Sequence, residues 1–273
     1  MIVDEDMPQQ PTASSRRADS DAAIRVMDVS KTFGDAASGV RALEHVTFDV
    51  RHGEFVSVLG PSGCGKSTLL RIVAALTAPD PPGRVDLLGR EQAEPSRDVG
   101  VVFQTHNMLP WLTVEDNIRL LAEVRGMPDG EIAARLEPML RILRLEGFRR
   151  NYPHELSGGM RQRAALGQTL LLKPQVLLLD EPFGALDALT RDQLNVELLR
   201  LCQEINKTVI LITHSIAEAV FLSDRVLVMS DRPGHIIEDL EVVLPRPREP
   251  HTTKAMPEFS KYVLHLNRLM GVD

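Results

Sequence analysis

Four short runs are apolar almost without interruption: FVSVL at 55–59, VGVVF at 99–103, VLLLD at 176–180 and TVILIT at 208–213. Each is shorter than an ordinary helix, rich in branched side chains and bounded by polar residues or glycine, so each predicts a strand buried on both faces. Between them the period changes. In STLLRIVAAL the apolar residues Leu69, Leu70, Ile72, Val73 and Leu76 recur at helical spacing, and helices are expected over 158–172 and 188–206. Strands alternating with such helices predict a mainly parallel sheet with helices packed over it.

The flanks have other textures. IRVMDVSKTF and ALEHVTFDV read as two antiparallel strands joined by the small-residue loop GDAASGV. The proline-broken stretch 77–92 reads as a turn and a hairpin, and residues from about 107 to 155 as a helical insertion with turns at GMPDG and near Gly147. Residues 1–22 are polar and rich in proline, serine and charge, the composition of a disordered leader. A proline-rich link from Leu244 leads to an amphipathic helix, FSKYVLHLNRLM, whose spacing fits simple docking on the rest of the chain.

Composition narrows the setting more than the function. The chain of 273 residues is long enough for a substantial core, and its net charge of −7 gives no global electrostatic reason to expect DNA or RNA as a partner. Only Cys64 and Cys202 occur, as expected in a reducing compartment, with Cys64 read as a small filler rather than a nucleophile. No apolar run approaches the roughly 20 residues that span a bilayer, and the N-terminus lacks a signal-peptide core. The expectation is a cytosolic protein that reaches a membrane only by holding another subunit.

The chemistry gathers at strand ends. GPSGCGKST at 60–68 follows one strand and opens one helix, the context in which free backbone N–H groups face phosphates, Lys66 adds a mobile point charge and the Ser67 hydroxyl reaches Mg²⁺. Asp180 and Glu181 emerge from VLLLD, where ligands of open α/β sheets lie; Asp180 suits the metal and Glu181 the attacking water. His214 ends TVILIT, and Gln104 ends VGVVFQ with a neutral amide suited to a metal or a water. LSGGM at 156–160 places Ser157, Gly158 and Gly159 before a helix carrying Arg161 and Arg163, a second helix start able to receive an anion.

In this order, the phosphate turn, Gln104, LSGGM, VLLLDEP, GALD at 184–187 and His214 closely resemble the ATPase subunit of ABC transporters, over residues from about 24 to 245. The resemblance implies an α/β fold: a P-loop NTPase (RecA-like) core over 23–245, with an N-terminal antiparallel β region and an inserted helical subdomain, followed by a C-terminal extension over 246–273. It implies ATP and Mg²⁺ as cofactors. Gly60, Pro61, Ser62, Gly63, Cys64, Gly65, Lys66, Ser67 and Thr68 form the phosphate site, and Phe33 stacks on adenine. Ser67, Asp180 and Gln104 serve the metal, Glu181 is the catalytic base and His214 the switch histidine. Ser157, Gly158 and Gly159 close on ATP held by the opposite protomer, and Asp187 lies in the loop linking the two sites.

By the same resemblance the partners are a second identical subunit, transmembrane permease subunits and a separate solute-binding protein. The place is the cytoplasmic face of the bacterial cell membrane, peripherally attached. QTHNMLPWLTVEDNIRL and VLVMSDRPGHIIEDLEVVLPRPR resemble the branch importing nitrate, sulfonates or taurine, with Leu109, Pro110 and Trp111 as a surface for the permease or else as internal packing. Met160 stands where relatives often carry glutamine, and Gln168 where many carry arginine. The loss of that charge is expected to bear on a helix contact or on coupling, not on the catalytic groups.

Overall fold

The four apolar runs form strands because both of their faces are covered. The computed structural model describes residues 21–35, 39–104, 108–184, 187–204 and 206–271. Outside these lie the expected leader up to residue 20, positions 36–38 of the GDAASGV loop, the first residue of the expected insertion, Ala185 and Leu186 of GALD, position 205 of the expected second long helix, and the last two residues of the C-terminal extension.

The strands, in chain order, are β1 (Ala22–Phe33), β2 (Val40–Arg51), β3 (Phe55–Leu59), β4 (Arg84–Leu87), β5 (Arg90–Glu91), β6 (Val99–Val102), β7 (Val176–Asp180), β8 (Thr208–Thr213), β9 (Arg225–Met229) and β10 (Ile236–Glu241). The helices are α1 (Lys66–Val73), α2 (Val114–Val124), α3 (Asp129–Ile142), α4 (Gly158–Leu171), α5 (Ala188–Glu204), α6 (Ile216–Leu222), α7 (Pro250–Thr253) and α8 (Pro257–Leu269). One sheet, ordered β2-β1-β4-β5, is antiparallel; the other, ordered β10-β9-β3-β8-β7-β6, is parallel except for the edge strand β10.

Alternate residues of the parallel strands enter different cores, as the two-residue period requires. Val58, Leu178, Ile210, Ile212 and Leu227 pack with Leu69, Ile72 and Val73 of α1 and with Ile24, Val26 and Val46 of the antiparallel sheet. Leu59, Leu177, Leu179, Val209 and Leu211 pack on the other side with residues of α2 to α6 and α8. Each fully buried aliphatic side chain contributes about 1.5–3 kcal/mol, so the sheet is fixed from both sides.

Register then sets the site. Leu59 pairs with Thr213 and Asp180 with Ile212, so the phosphate turn, the two carboxylates and His214 all leave the same end of the sheet. Helix α1 is shorter than its apolar pattern predicts. Ala75 adopts a left-handed conformation (φ +55°), the chain turns away, and Leu76, expected on the buried face, is 50% exposed.

The helical insertion is tied down by a polar residue. Asn117 is fully buried; its Nδ2 donates to the carbonyls of Leu109 (3.1 Å), Leu112 (3.0 Å) and Thr113 (2.9 Å), and its Oδ1 accepts from the Leu109 N–H (2.8 Å). The Gln168 side chain donates to the Asn117 carbonyl (2.7 Å), so it makes an α4–α2 contact of its own without the charge. Trp111 rides on the loop held in this way and is 69% exposed, not packed inside.

The C-terminal segment docks through Phe259, Tyr262 and Leu266 of α8. Arg248 is buried and donates to the carbonyls of Phe221 (3.0 Å) and Ser223 (2.8 Å) at the end of α6, where the helix dipole favours a cation.

Asn117→Ala is expected to lower unfolding stability by about 2–4 kcal/mol by orphaning several backbone groups at once. Trp111, the single tryptophan of the chain, reports the same loop by fluorescence in the same denaturant titration. A change of under about 0.5 kcal/mol, the ordinary surface range, would mean the loop is held by other contacts.

Candidate functional site

The turn between β3 and α1 is shaped around one buried cation. Lys66 is 6% exposed, and its Nζ donates to the carbonyls of Gly60 (2.7 Å) and Pro61 (2.8 Å). Gly65, at φ +112°, opens α1; a side chain there would meet the Ala42 carbonyl at 2.7 Å, so glycine is required for space as well as conformation. Cys64 is buried behind the turn, and burial pushes its thiol up, away from the thiolate a nucleophile needs.

In front of the turn lies a cleft of about 550 Å³. Its lining includes Phe33, Val40 and Ala42 on one side, then Ser62, Gly63, Gly65, Lys66, Ser67 and Thr68, with Gln104, Glu181, His214 and Arg232 closing the rest. An exposed aromatic and a lysine at a helix N-terminus, lining one cleft, match a base and its phosphates. Gly60, Pro61 and Cys64 do not line the cleft; they form the back of the turn.

The acids divide their work by position. Asp180 is 7% exposed and accepts a hydrogen bond from the Ser67 hydroxyl (3.1 Å), which brings two oxygens together at the start of α1. Burial raises the Asp180 carboxyl above its ordinary range, and Glu181 adds repulsion, against the opposing pull of the Ser67 hydrogen bond. Glu181 faces the cleft from a left-handed backbone (φ +46°), uncommon for a residue with a side chain. Its N–H is held by the Ile212 carbonyl (3.0 Å) and its carbonyl by Gln162 Nε2 (3.1 Å). Its carboxylate accepts from Gln104 Nε2 (3.3 Å) and stands 3.2 Å from His214 Nδ1. The Val102–Leu179 register explains the first contact, since Gln104 and Glu181 each lie two residues further on.

Other expected residues lie elsewhere. Ser157 caps α4, accepting from the Met160 N–H (3.3 Å), and neither it nor Gly158 and Gly159 lines the cleft. Asp187 accepts from the Thr190 N–H (3.0 Å) at the start of α5. Arg161 and Arg163 turn to backbone, donating to the Leu156 (2.5 Å) and Leu143 (2.9 Å) carbonyls. Gln162 and Arg232 were not singled out by their residue types; both act through partners far away in sequence.

A family model described as ABC transporter matches residues 43–184. The chain belongs to the ABC transporter family. The likeness extends well beyond the motifs. An ABC transporter ATP-binding protein of Methanocaldococcus jannaschii is 44% identical over 243 residues, 89% of this chain and 90% of that one. The aliphatic sulfonates import ATP-binding protein SsuB of Bacillus cereus is 44% identical over 241 residues, 88% of this chain and 94% of that one. The nitrate transport protein NasD of Klebsiella oxytoca is 45% identical over 229 residues, 82% of this chain and 87% of that one. Among solved structures, a dimeric ATP-binding cassette in a post-hydrolysis state with ADP and Pi superimposes with a TM-score of 0.73 at 33% identity, covering 81% of this chain and 100% of that one.

The raised Asp180 carboxyl sets the sign of a stability effect in this cassette. A folded state that holds this proton more tightly than the unfolded chain loses stability as pH rises above the unfolded value, and the cost is complete once pH exceeds the folded value. Asp180→Asn is therefore expected to melt at a higher temperature than the parent at pH 7.5 without nucleotide, with the gain shrinking toward pH 4, and to lose ATPase activity. A lower melting temperature at pH 7.5 would show that the carboxylate stabilises the fold.

Proposed function

We propose that this cassette hydrolyses ATP to drive import of a small anion, such as nitrate, a sulfonate or taurine, through a membrane permease. The observation that carries the reading is the Glu181 carboxylate, set at the mouth of the phosphate turn between Gln104 and His214. A base so held can take a proton from water as its oxygen attacks the γ-phosphorus and the bond to the ADP oxygen breaks. The relatives named for sulfonate and nitrate transport support the anion class.

The donor set fits Mg²⁺. Among the described residues no three His, Cys, Asp or Glu side chains gather into a metal centre, whereas the Ser67 and Asp180 oxygens converge beside the phosphate turn. Such a pair leaves most ligand positions to phosphates and water, as this cation prefers. Bound there, Mg²⁺ supplies charge neutralisation to the phosphates; Lys66 and the α1 N–H groups orient them, Phe33 holds the base, and Gln104 and His214 orient Glu181 and the water.

Ser157, Gly158 and Gly159 stand outside the cleft of their own chain, and the related dimeric cassette supports a role across a dimer. Two copies would enclose two nucleotides, each copy offering the phosphate turn to one and Ser157–Gly159 to the other, with Asp187 between the sites. Among the described residues no helix is long and apolar enough to cross a membrane. Attachment at the cytoplasmic face then rests on permease subunits, for which the exposed Trp111, with Leu109 and Pro110, offers a docking surface. A separate solute-binding protein completes the proposed importer.

Glu181→Gln is expected to lower phosphate release by at least about a hundredfold, the scale of a general base, and to accumulate as an ATP-dependent dimer in light scattering. A variant that hydrolyses ATP at the parental rate would remove Glu181 from the chemistry.

A further inference from the structure

The turn joining β9 to β10, SDRPGH at 230–235, lies outside the phosphate-turn motif yet touches it twice. Arg232 directs two donors of its guanidinium at one carbonyl, that of Gly63, from Nε (3.1 Å) and Nη2 (2.7 Å). Two residues on, Gly234 approaches so closely that a side-chain carbon would stand 2.1 Å from the Cys64 carbonyl.

The turn has its own rigidity. Ser230 Oγ accepts from the His235 N–H (3.0 Å) and donates to the Asp231 carbonyl (2.8 Å). Its Gly234 is paired to β2, donating to the Ala42 carbonyl (3.0 Å) and accepting from the Glu44 N–H (3.0 Å). Gly65 lies so near that a side-chain carbon there would meet that same Ala42 carbonyl at 2.7 Å. The phosphate turn thus lies against both β2 and the 230–235 turn, which are themselves paired.

The peptide plane gives the contact a consequence. In a trans peptide the carbonyl and the following N–H point in opposite directions. With the Gly63 carbonyl pinned to Arg232, the Cys64 N–H points the opposite way, where its bond to the Pro61 carbonyl is long at 3.4 Å and readily yields to a better acceptor. Gly63 itself, at φ +78°, has no side chain to stabilise that plane from within.

We propose that Arg232 is a positioning residue of the nucleotide site: from the edge of the cleft, together with Gly234, it clasps the phosphate turn and holds its backbone in the form that receives the β-phosphate. The inference rests on the nucleotide-site reading of the cleft. It concerns phosphates shared by ATP and ADP, so both nucleotides must feel the loss equally, whereas a guanidinium touching the γ-phosphate would distinguish them.

The test is calorimetric titration of the full chain with MgATP and with MgADP, alongside steady-state kinetics and a thermal melt. Arg232→Ala is expected to weaken both nucleotides about tenfold, within the range for hydrogen bonds from a charged donor. KM should rise in step while the rate at saturation changes less than about twofold, because an interaction made equally in the ground and transition states affects binding alone. Arg232→Lys, which keeps charge but not the fork, should fall between. Gly234→Ala should weaken both nucleotides, and the double variant should not sum the two losses, since both act through one contact surface. Unchanged ADP affinity in Arg232→Ala, a loss confined to ATP, or additive single effects would each overturn the proposal. A parent chain that binds neither nucleotide would instead sink the nucleotide-site reading.

Discussion

A lysine ammonium removed from water must have its donors answered, and this requirement organises the cassette's active end. Lys66 is buried at the first position of α1, and it is answered by the carbonyls of Gly60 and Pro61 at the start of the same turn. The chain therefore curls around its own side chain. That curl brings the turn so near β2 that Gly65 has no room for a side chain, and it exposes the start of α1 to the cleft. Phosphate would exchange one set of oxygens around the ammonium for another.

The same end of the sheet receives the other groups because register leaves them no alternative. With β3, β8, β7 and β6 parallel and in order, the residues that follow each strand emerge side by side. Glu181 is then fixed through its backbone from two directions, by β8 through Ile212 and by α4 through Gln162. Helix α4 begins at Ser157, so one rigid element joins the segment proposed to meet a second copy to the proposed base. A shift of α4 on association has a short mechanical route to the chemistry.

The strands buried on both faces were legible in the sequence because uninterrupted branched residues have few other uses, and the phosphate turn because its glycines sit between such a strand and a helix. Gln104, Glu181 and His214 were legible because a parallel sheet delivers strand ends to one edge. What escaped was decided by distant partners. Asn117 is a polar residue in an amphipathic helix, the pattern of a solvent-facing side chain; it is buried because the 109–113 loop needs its backbone groups satisfied. Arg161 and Arg163 lie on the helix whose start read as an anion site, but they donate to the backbone carbonyls of Leu156 and Leu143. Arg232 sits in a plain turn and meets Gly63 across 169 residues. Leu76 kept the helical period after Ala75 had already turned the chain.

The central claim is that one chain carries only part of each catalytic site. Lys66, Glu181 and His214 share a cleft that Ser157–Gly159 of the same chain do not line, and the proposed function has a second copy supply that segment. The most direct measurement is the ATPase rate per chain at saturating MgATP over a wide dilution series, with the association state followed in parallel. The account predicts that the rate per chain falls on dilution together with the dimer fraction. A constant rate per chain in samples that remain monomeric would contradict it.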